Sequence, residues 1–242
     1  MKRLLVLALL LTAACSGSSA TPKSNTPRVI TVFAAASLTR AFQGMAKDFE
    51  DNHPDLKVEL SFAGSQSLVA QIKQGAPADV LATADVATAT SLQAQLNGTP
   101  VVFAHNSLAL VTPETNPAKV KTLADLGRPG VKVVLANPSV PVGKAAAKLL
   151  AKQHVTVRPV SLEDAVTGVV TKLRLGEADA GIAYVTDLVG SLGIQGTPLA
   201  GTTTDLAIAP IAGISAPDDA DAFIAFVRSA EGRKVMESWG FT

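Results

Sequence analysis

The hydrophobic pattern of this chain switches repeatedly between short β-branched runs and longer stretches with apolar residues at helical spacing. Residues 29–33 read as a strand. Residues 38–49 read as a helix, with Leu38, Ala41, Phe42, Met45 and Phe49 on one face. There follow a strand over 56–62, a helix over 67–74 stopped by Gly75 and Pro77, a short strand over 80–82, and a helix over 88–96 ending at Asn97-Gly98. This β-α-β-α-β order implies parallel strands joined by crossover helices.

Residues 101–111 form a longer run with Asn106 and Ser107 in its middle, suited to leaving one lobe and entering another. The pattern then restarts. It predicts a short helix over 123–126, a strand over 131–136, a helix over 144–153, an extended stretch over 155–160, a helix over 164–175 and a strand over 180–185. A long strand over 205–214 reads as a return to the first lobe, closed by helices over 218–227 and 230–238. The architecture repeats although the sequence does not. The expected fold class is α/β, two-lobed, each lobe a mostly parallel sheet flanked by helices. Residues 28–107 and 207–242 make lobe I and residues 108–206 make lobe II, joined by two crossing segments.

The first residues do not fit this pattern. Lys2 and Arg3 precede an unbroken apolar run over 4–11, then Ala13, Ala14 and Cys15. A charged start, a short apolar segment and small residues read as an export signal over 1–15, too short to span a bilayer. Cys15 is the only cysteine, so no intrachain disulfide forms. A lone cysteine at the end of an export signal resembles the acylated cysteine of bacterial lipoproteins, which implies a lipid anchor on the outer face of the cell membrane, or a periplasmic location. Residues 16–27 are rich in Ser, Thr, Pro, Asn and Gly and read as a tether.

Charge removes one class of function. The chain has 21 basic and 20 acidic residues; without Lys2 and Arg3 the counts are 19 and 20, a net −1. No basic stripe survives and aromatics are 4%, so a nucleic-acid partner is not expected. His53, His105 and His154 lack metal-ligand spacing and no Gly-x-Ser-x-Gly elbow occurs, so neither a metal site nor an enzyme is expected. Asp79 and Asp85 read as turn and cap residues around the short strand.

Ligands of open α/β sheets sit beyond the carboxyl ends of strands, where helix N-termini offer unpaired N–H groups and partial positive charge. Five places qualify. They are the junction at Ala34-Ala35-Ala36-Ser37, the junction at Ala63-Gly64-Ser65-Gln66-Ser67, the Pro-stiffened loop through Val140-Pro141-Val142-Gly143, the start of the helix near Ser161 to Val166, and the strand end at Tyr184. Taken singly, each serine reads as a helix cap, as does the Ser161 and Asp164 pair, and Tyr184 as a core aromatic. Their convergence points to a site of uncharged donors. About six hydrogen bonds to a charged guest, each contributing about 1.5–3 kcal/mol, offset the desolvation of a small dianion. The first two junctions hold no carboxylate to accept a proton from the guest, so a protonated oxyanion leaves its O–H unpaired. Sulfate, molybdate and tungstate all satisfy this chemistry.

These residues resemble the molybdate-binding receptors of the class II periplasmic binding-protein superfamily. The likeness runs from Val29 to Phe241. It rests on Val32-Phe33-Ala34-Ala35-Ala36-Ser37-Leu38-Thr39, Ser61-Phe62-Ala63-Gly64-Ser65, Gly75-Ala76-Pro77-Ala78-Asp79-Val80, Val140-Pro141-Val142-Gly143 and Gly181-Ile182-Ala183-Tyr184-Val185-Thr186-Asp187 in order. The resemblance implies that the hydroxyls of Ser37, Ser65 and Tyr184 and the backbone amides of Val142 and Val166 hold the oxyanion. It also implies a monomeric receptor with no cofactor, which delivers molybdate or tungstate to the membrane permease of an ATP-binding cassette importer. A receptor for sulfate or thiosulfate is the alternative.

Overall fold

The computed structural model describes residues 27–242. The expected export signal, Cys15 and all of the expected tether but Pro27 lie outside the described residues. Within them the strands are β1 Arg28–Ala35, β2 Leu56–Ala63, β3 Val80–Thr83, β4 Val101–Asn106, β5 Leu108–Pro113, β6 Val133–Ala136, β7 Ser161–Glu163, β8 Ala180–Tyr184, β9 Ile194–Pro198 and β10 Thr204–Pro210. The α-helices are α1 Thr39–Asn52, α2 Ser65–Lys73, α3 Val86–Thr90, α4 Pro141–Lys152, α5 Val166–Arg174, α6 Pro217–Val227 and α7 Ala230–Ser238. Short 3-10 turns occupy Ala36–Leu38, Gln93–Gln95, Leu123–Gly127 and Val185–Asp187.

The strands form two sheets of the same plan, β2-β1-β3-β10-β4 and β7-β6-β8-β5-β9. In each, four strands run in one direction and a single strand, fourth in the order, runs against them. β1 pairs in parallel with β2 and β3, and β6 with β7 and β8. β10 and β5 run antiparallel to their neighbours. The central strands are covered on both faces, which explains their nearly unbroken apolar runs: β1 is buried from Val32 to Ala35, and β3, β5, β6 and β8 are buried throughout. On α1 the apolar stripe Phe42, Met45 and Phe49 packs into the core, where Phe49 meets Phe223 of α6 edge-on at 5.3 Å between ring centroids.

The run over 101–111 splits at Ser107, with β4 in one sheet and β5 in the other. The break is held by side chains. Asn106 accepts the Ser107 N–H at 2.9 Å and donates to Thr186 Oγ1 at 2.9 Å. Residues 155–160 lie outside the regular elements, with the Val160 N–H on the Val133 carbonyl at 2.8 Å, and β7 forms just after them. Three expectations need correction. The helix expected over 164–175 begins at Val166 because residues 161–163 are drawn into the sheet beside β6. The helix expected over 88–96 is one turn of α3 followed by the Gln93–Gln95 turn. The strand expected over 205–214 ends at Pro210; beyond it Ile211 keeps one bridge to Leu96 before Gly213 turns the chain at φ +74. Strand β9, Ile-Gln-Gly-Thr-Pro, carries no alternating pattern and is specified by pairing with β5.

Candidate functional site

Four helical N-termini from the two sheets converge on one small space. The turn Ala36–Leu38 follows β1, α2 follows β2, α4 follows the loop after β6, and α5 follows β7. Their leading residues, with Ala84 and Tyr184, line a cavity of about 20 Å³ that gathers Ser37, Ser65, Val142, Val166 and Tyr184. That is slightly more than a single water needs, so the space admits one small, compact guest. All five residues singled out from sequence therefore meet around it. Tyr184, Ser65, Val142 and Val166 are 1%, 2%, 3% and 4% exposed, so whatever binds there is stripped of water.

The hydrogen-bond inventory gives the space its chemistry. Ser37 Oγ and Tyr184 OH are buried and have no partner. Buried polar atoms are nearly always paired, so two orphans beside one cavity mark donors held for a ligand. Ser65 Oγ accepts the Ala84 N–H at 3.1 Å, which leaves its own hydroxyl proton to donate. In α4 the first N–H bonded back along the helix is that of Lys144, to the Val140 carbonyl at 2.8 Å, leaving Val142 N–H without an intrahelical acceptor. In α5 the corresponding bond is Gly168 to Ala165 at 3.1 Å, leaving Val166 N–H.

None of these four N-termini has a capping side chain, and none has an acid in its first turn. The caps are Ala35, Gly64, Val140 and Ala165, so the single-residue reading of Ser37 and Ser65 as structural caps is wrong. Ser161 does not cap α5 either; it lies in β7 and donates to Glu163. Asp85 does act as a cap, on α3, accepting the Thr88 N–H at 2.6 Å, and Asp79 Oδ2 accepts the Thr31 N–H at 2.7 Å. Two glycines let backbones close on the cavity. A Cβ on Gly143 would lie 2.1 Å from the Asn137 carbonyl, and one on Gly64 would lie 2.4 Å from the Asp164 carbonyl across the cleft. Gln66 Nε2 donates to that same Asp164 carbonyl at 2.9 Å.

The phenol of Tyr184 stays neutral. Burial pushes its pKa up, the Asp187 and Asp85 carboxylates add to the shift, and the nearby Thr204 hydroxyl opposes it without forming a hydrogen bond to the phenol. Asp187 accepts the Tyr184 N–H at 2.9 Å. Burial raises the Asp187 carboxyl from 3.8 to about 6, against that N–H and the charges of Arg40 and Arg174. Sequence reasoning missed Arg40 and Asp187. Arg40 follows one recognised motif and Asp187 ends another, but nothing local to either marks it as facing the opposite lobe. Larger cavities exist, one of about 400 Å³ beside the lysines of α4. Only the small one brings orphaned hydroxyls together, and polar chemistry outweighs size here. Among the described residues there is no group of three or more His, Cys, Asp or Glu placed to hold a metal ion, and no helix long and apolar enough to cross a membrane.

Comparison with known proteins bears on what fills the site. The family model described as bacterial extracellular solute-binding protein matches residues 30–242. The molybdate-binding protein ModA of Mycobacterium tuberculosis is 40% identical over 220 residues, covering 88% of this chain and 84% of the relative. The periplasmic molybdate-binding protein of Azotobacter vinelandii superposes with a TM-score of 0.73 at 20% identity, covering 88% of this chain and 98% of that one. The sulfate-binding protein SubI of Mycobacterium tuberculosis superposes almost as well, with a TM-score of 0.71 at 17% identity over 88% and 86% of the two chains. These two structural likenesses speak to the fold alone.

Proposed function

This chain belongs to the bacterial extracellular solute-binding proteins, and on that premise we propose that it captures molybdate, or tungstate, between its lobes and hands it to the permease of an ATP-binding cassette importer. It is a binding protein and not an enzyme. The observation that carries the ligand class is the pair of buried, partnerless hydroxyls on Ser37 and Tyr184, facing one cavity at four uncapped helix N-termini. Hydrogen bonds from neutral donors to an anion are strong where water is excluded, and the helix ends add partial positive charge. Ser37, Ser65 and Tyr184 donate hydroxyls in this reading, and Val142 and Val166 donate backbone N–H groups. The set holds no carboxylate to accept a proton from the guest and its hydroxyls are used as donors, so the preferred form is the fully deprotonated dianion.

The remaining parts of the proposal follow from the same reading. Residues 28–107 with 207–242 and residues 108–206 move as two bodies about the crossing segments, and the ligand favours the closed form because it touches both. Cys15 carries a lipid that holds a monomeric receptor at the outer face of the membrane. Calorimetric titration of residues 27–242 tests the ligand. Molybdate and tungstate are expected to bind at one per chain, with sulfate displaced from any mixture. Sulfate outcompeting molybdate would replace the ligand assignment, and absence of heat with all three would remove the oxyanion reading.

A further inference from the structure

A second set of contacts crosses the cleft just outside the small cavity. Arg40 lies on the first turn of α1, three residues after Ser37. Its guanidinium donates to the Thr186 carbonyl at 2.9 Å and to the Val189 carbonyl, both in the turn that follows Tyr184. On its other side the guanidinium lies 4.7 Å from the ring centroid of Trp239, the only tryptophan in the chain. The receiving turn is shaped for this. Gly190 has φ +61, and a Cβ there would come within 3.4 Å of Arg40 Nη1 and 3.8 Å of the Trp239 ring. Gly240, at φ +83, lies so close to the turn that a Cβ would meet Val189 Cγ2 at 2.9 Å. Thr186 is buried and also takes the Asn106 amide at the crossing segment.

We infer that Arg40 is a positioning residue that locks the Ser37 loop of one lobe to the Tyr184 turn of the other, so that the two partnerless hydroxyls face the same guest. The inference rests on the oxyanion reading of the cavity. A guanidinium fork reaches two carbonyls and stacks on an indole at once; an ammonium does neither as well. The group therefore acts through geometry rather than as a bare charge attracting an anion. Asp187 and Arg174 share the adjoining cavity of about 300 Å³ with Arg40. The Asp187 carboxylate offsets part of the local positive charge there, which again leaves the fork's geometry as the active feature.

The test compares wild type, Arg40→Lys and Arg40→Gln by calorimetry with molybdate, tungstate and sulfate, and by urea unfolding of the ligand-free proteins. Both variants are expected to weaken binding of whichever oxyanion the wild type takes by about tenfold or more, given two hydrogen bonds from a charged donor. The loss should persist at high salt, and the ligand-free urea midpoints should fall too little to account for it. The ligand-induced change in Trp239 fluorescence should shrink in both variants. Wild-type affinity in Arg40→Lys, or a loss in Arg40→Gln that vanishes with salt, overturns the inference in favour of simple charge attraction. Unchanged affinity in both variants, or a loss matched by the fall in urea midpoint, also overturns it. A wild type that binds none of the three anions sinks the cavity reading itself, a different outcome from wild-type binding with indifferent variants.

Discussion

Four helix starts at the cavity contrast with those of α3, α6 and α7. At α3, α6 and α7 the N-termini are finished by the chain itself. Asp85 caps α3, Ser229 caps α7 by accepting the Gly232 N–H at 3.1 Å, and α6 carries Asp218 and Asp219 in its first turn. Within the cleft, α2, α4, α5 and the Ala36–Leu38 turn have neither cap nor acid. A missing cap costs about 1 kcal/mol of stability. Leaving four of them unfilled around one space is a stability cost that a bound anion recovers. On the proposed reading, the contrast separates N–H groups used for folding from those that meet the ligand.

The sharpest way to break this contrast is to give a cleft helix the ending of a remote one. Ala165→Asp places a carboxylate at the N-cap of α5, whose backbone is already extended there (φ −154, ψ 157). Binding of the oxyanion should fall by more than about 100-fold through repulsion and occupied donors, while the ligand-free protein holds or gains about 1 kcal/mol. Paired calorimetry and urea unfolding check both arms, and retained binding would mean that the α5 amides are not part of the site.

Removing the orphaned hydroxyls is the next largest change. Ser37→Ala and Tyr184→Phe should each weaken binding by about 10- to 150-fold, the equivalent of one hydrogen bond to a charged partner. Each should leave the ligand-free melting temperature equal or higher, because a buried donor without a partner has been deleted. A fall in melting temperature would show that the hydroxyl was already satisfied in the free protein. Ser229→Ala supplies the opposite arm. Loss of the α7 cap should cost about 1 kcal/mol in urea unfolding with the dissociation constant unchanged.

The smallest effect concerns Asp187, the carboxylate that caps the short turn beside Tyr184. Its folded-state pKa is raised from 3.8 to about 6. The folded state therefore holds more protons than the unfolded chain between those values, and stability falls as pH rises from about 4 to about 6. Above that window the loss is complete, and below it the residue contributes no slope. Asp187 keeps some contact with solvent, which reduces the size of the slope. Asp187→Asn, whose amide oxygen still accepts the Tyr184 N–H, should flatten that part of the urea-midpoint profile.

Much of the fold was legible because buried central strands and amphipathic helices carry strong periodic signals. Val29 to Phe33, Leu56 to Phe62 and the stripe through Phe42, Met45 and Phe49 fall where their patterns place them. The errors lie where local pattern is weak and a neighbour decides. Ser161–Glu163 joins β6 as a strand, although its residues resemble a helix start. Ile194–Pro198 pairs with β5 despite a glycine and a proline. The candidate site was legible as five places that needed a meeting point. Arg40 was not legible, because its acceptors are carbonyls nearly 150 residues away, as the separations of 146 and 149 show.

Sequence by itself determined the two rounds of α/β units, the small residues that leave backbone uncovered at the strand ends, and the absence of carboxylates at the first two junctions. Those properties are written in short stretches, since periodicity, helix-start chemistry and side-chain size act between near neighbours. Tertiary structure alone decided that Ser37 and Tyr184 share one cavity unpartnered, that Ser65 is already holding the Ala84 amide, and that Arg40 ties the lobes across the cleft. Hydrogen-bond satisfaction depends on atoms a few ångströms apart, and only the packing of two lobes brings such distant parts of the chain that close.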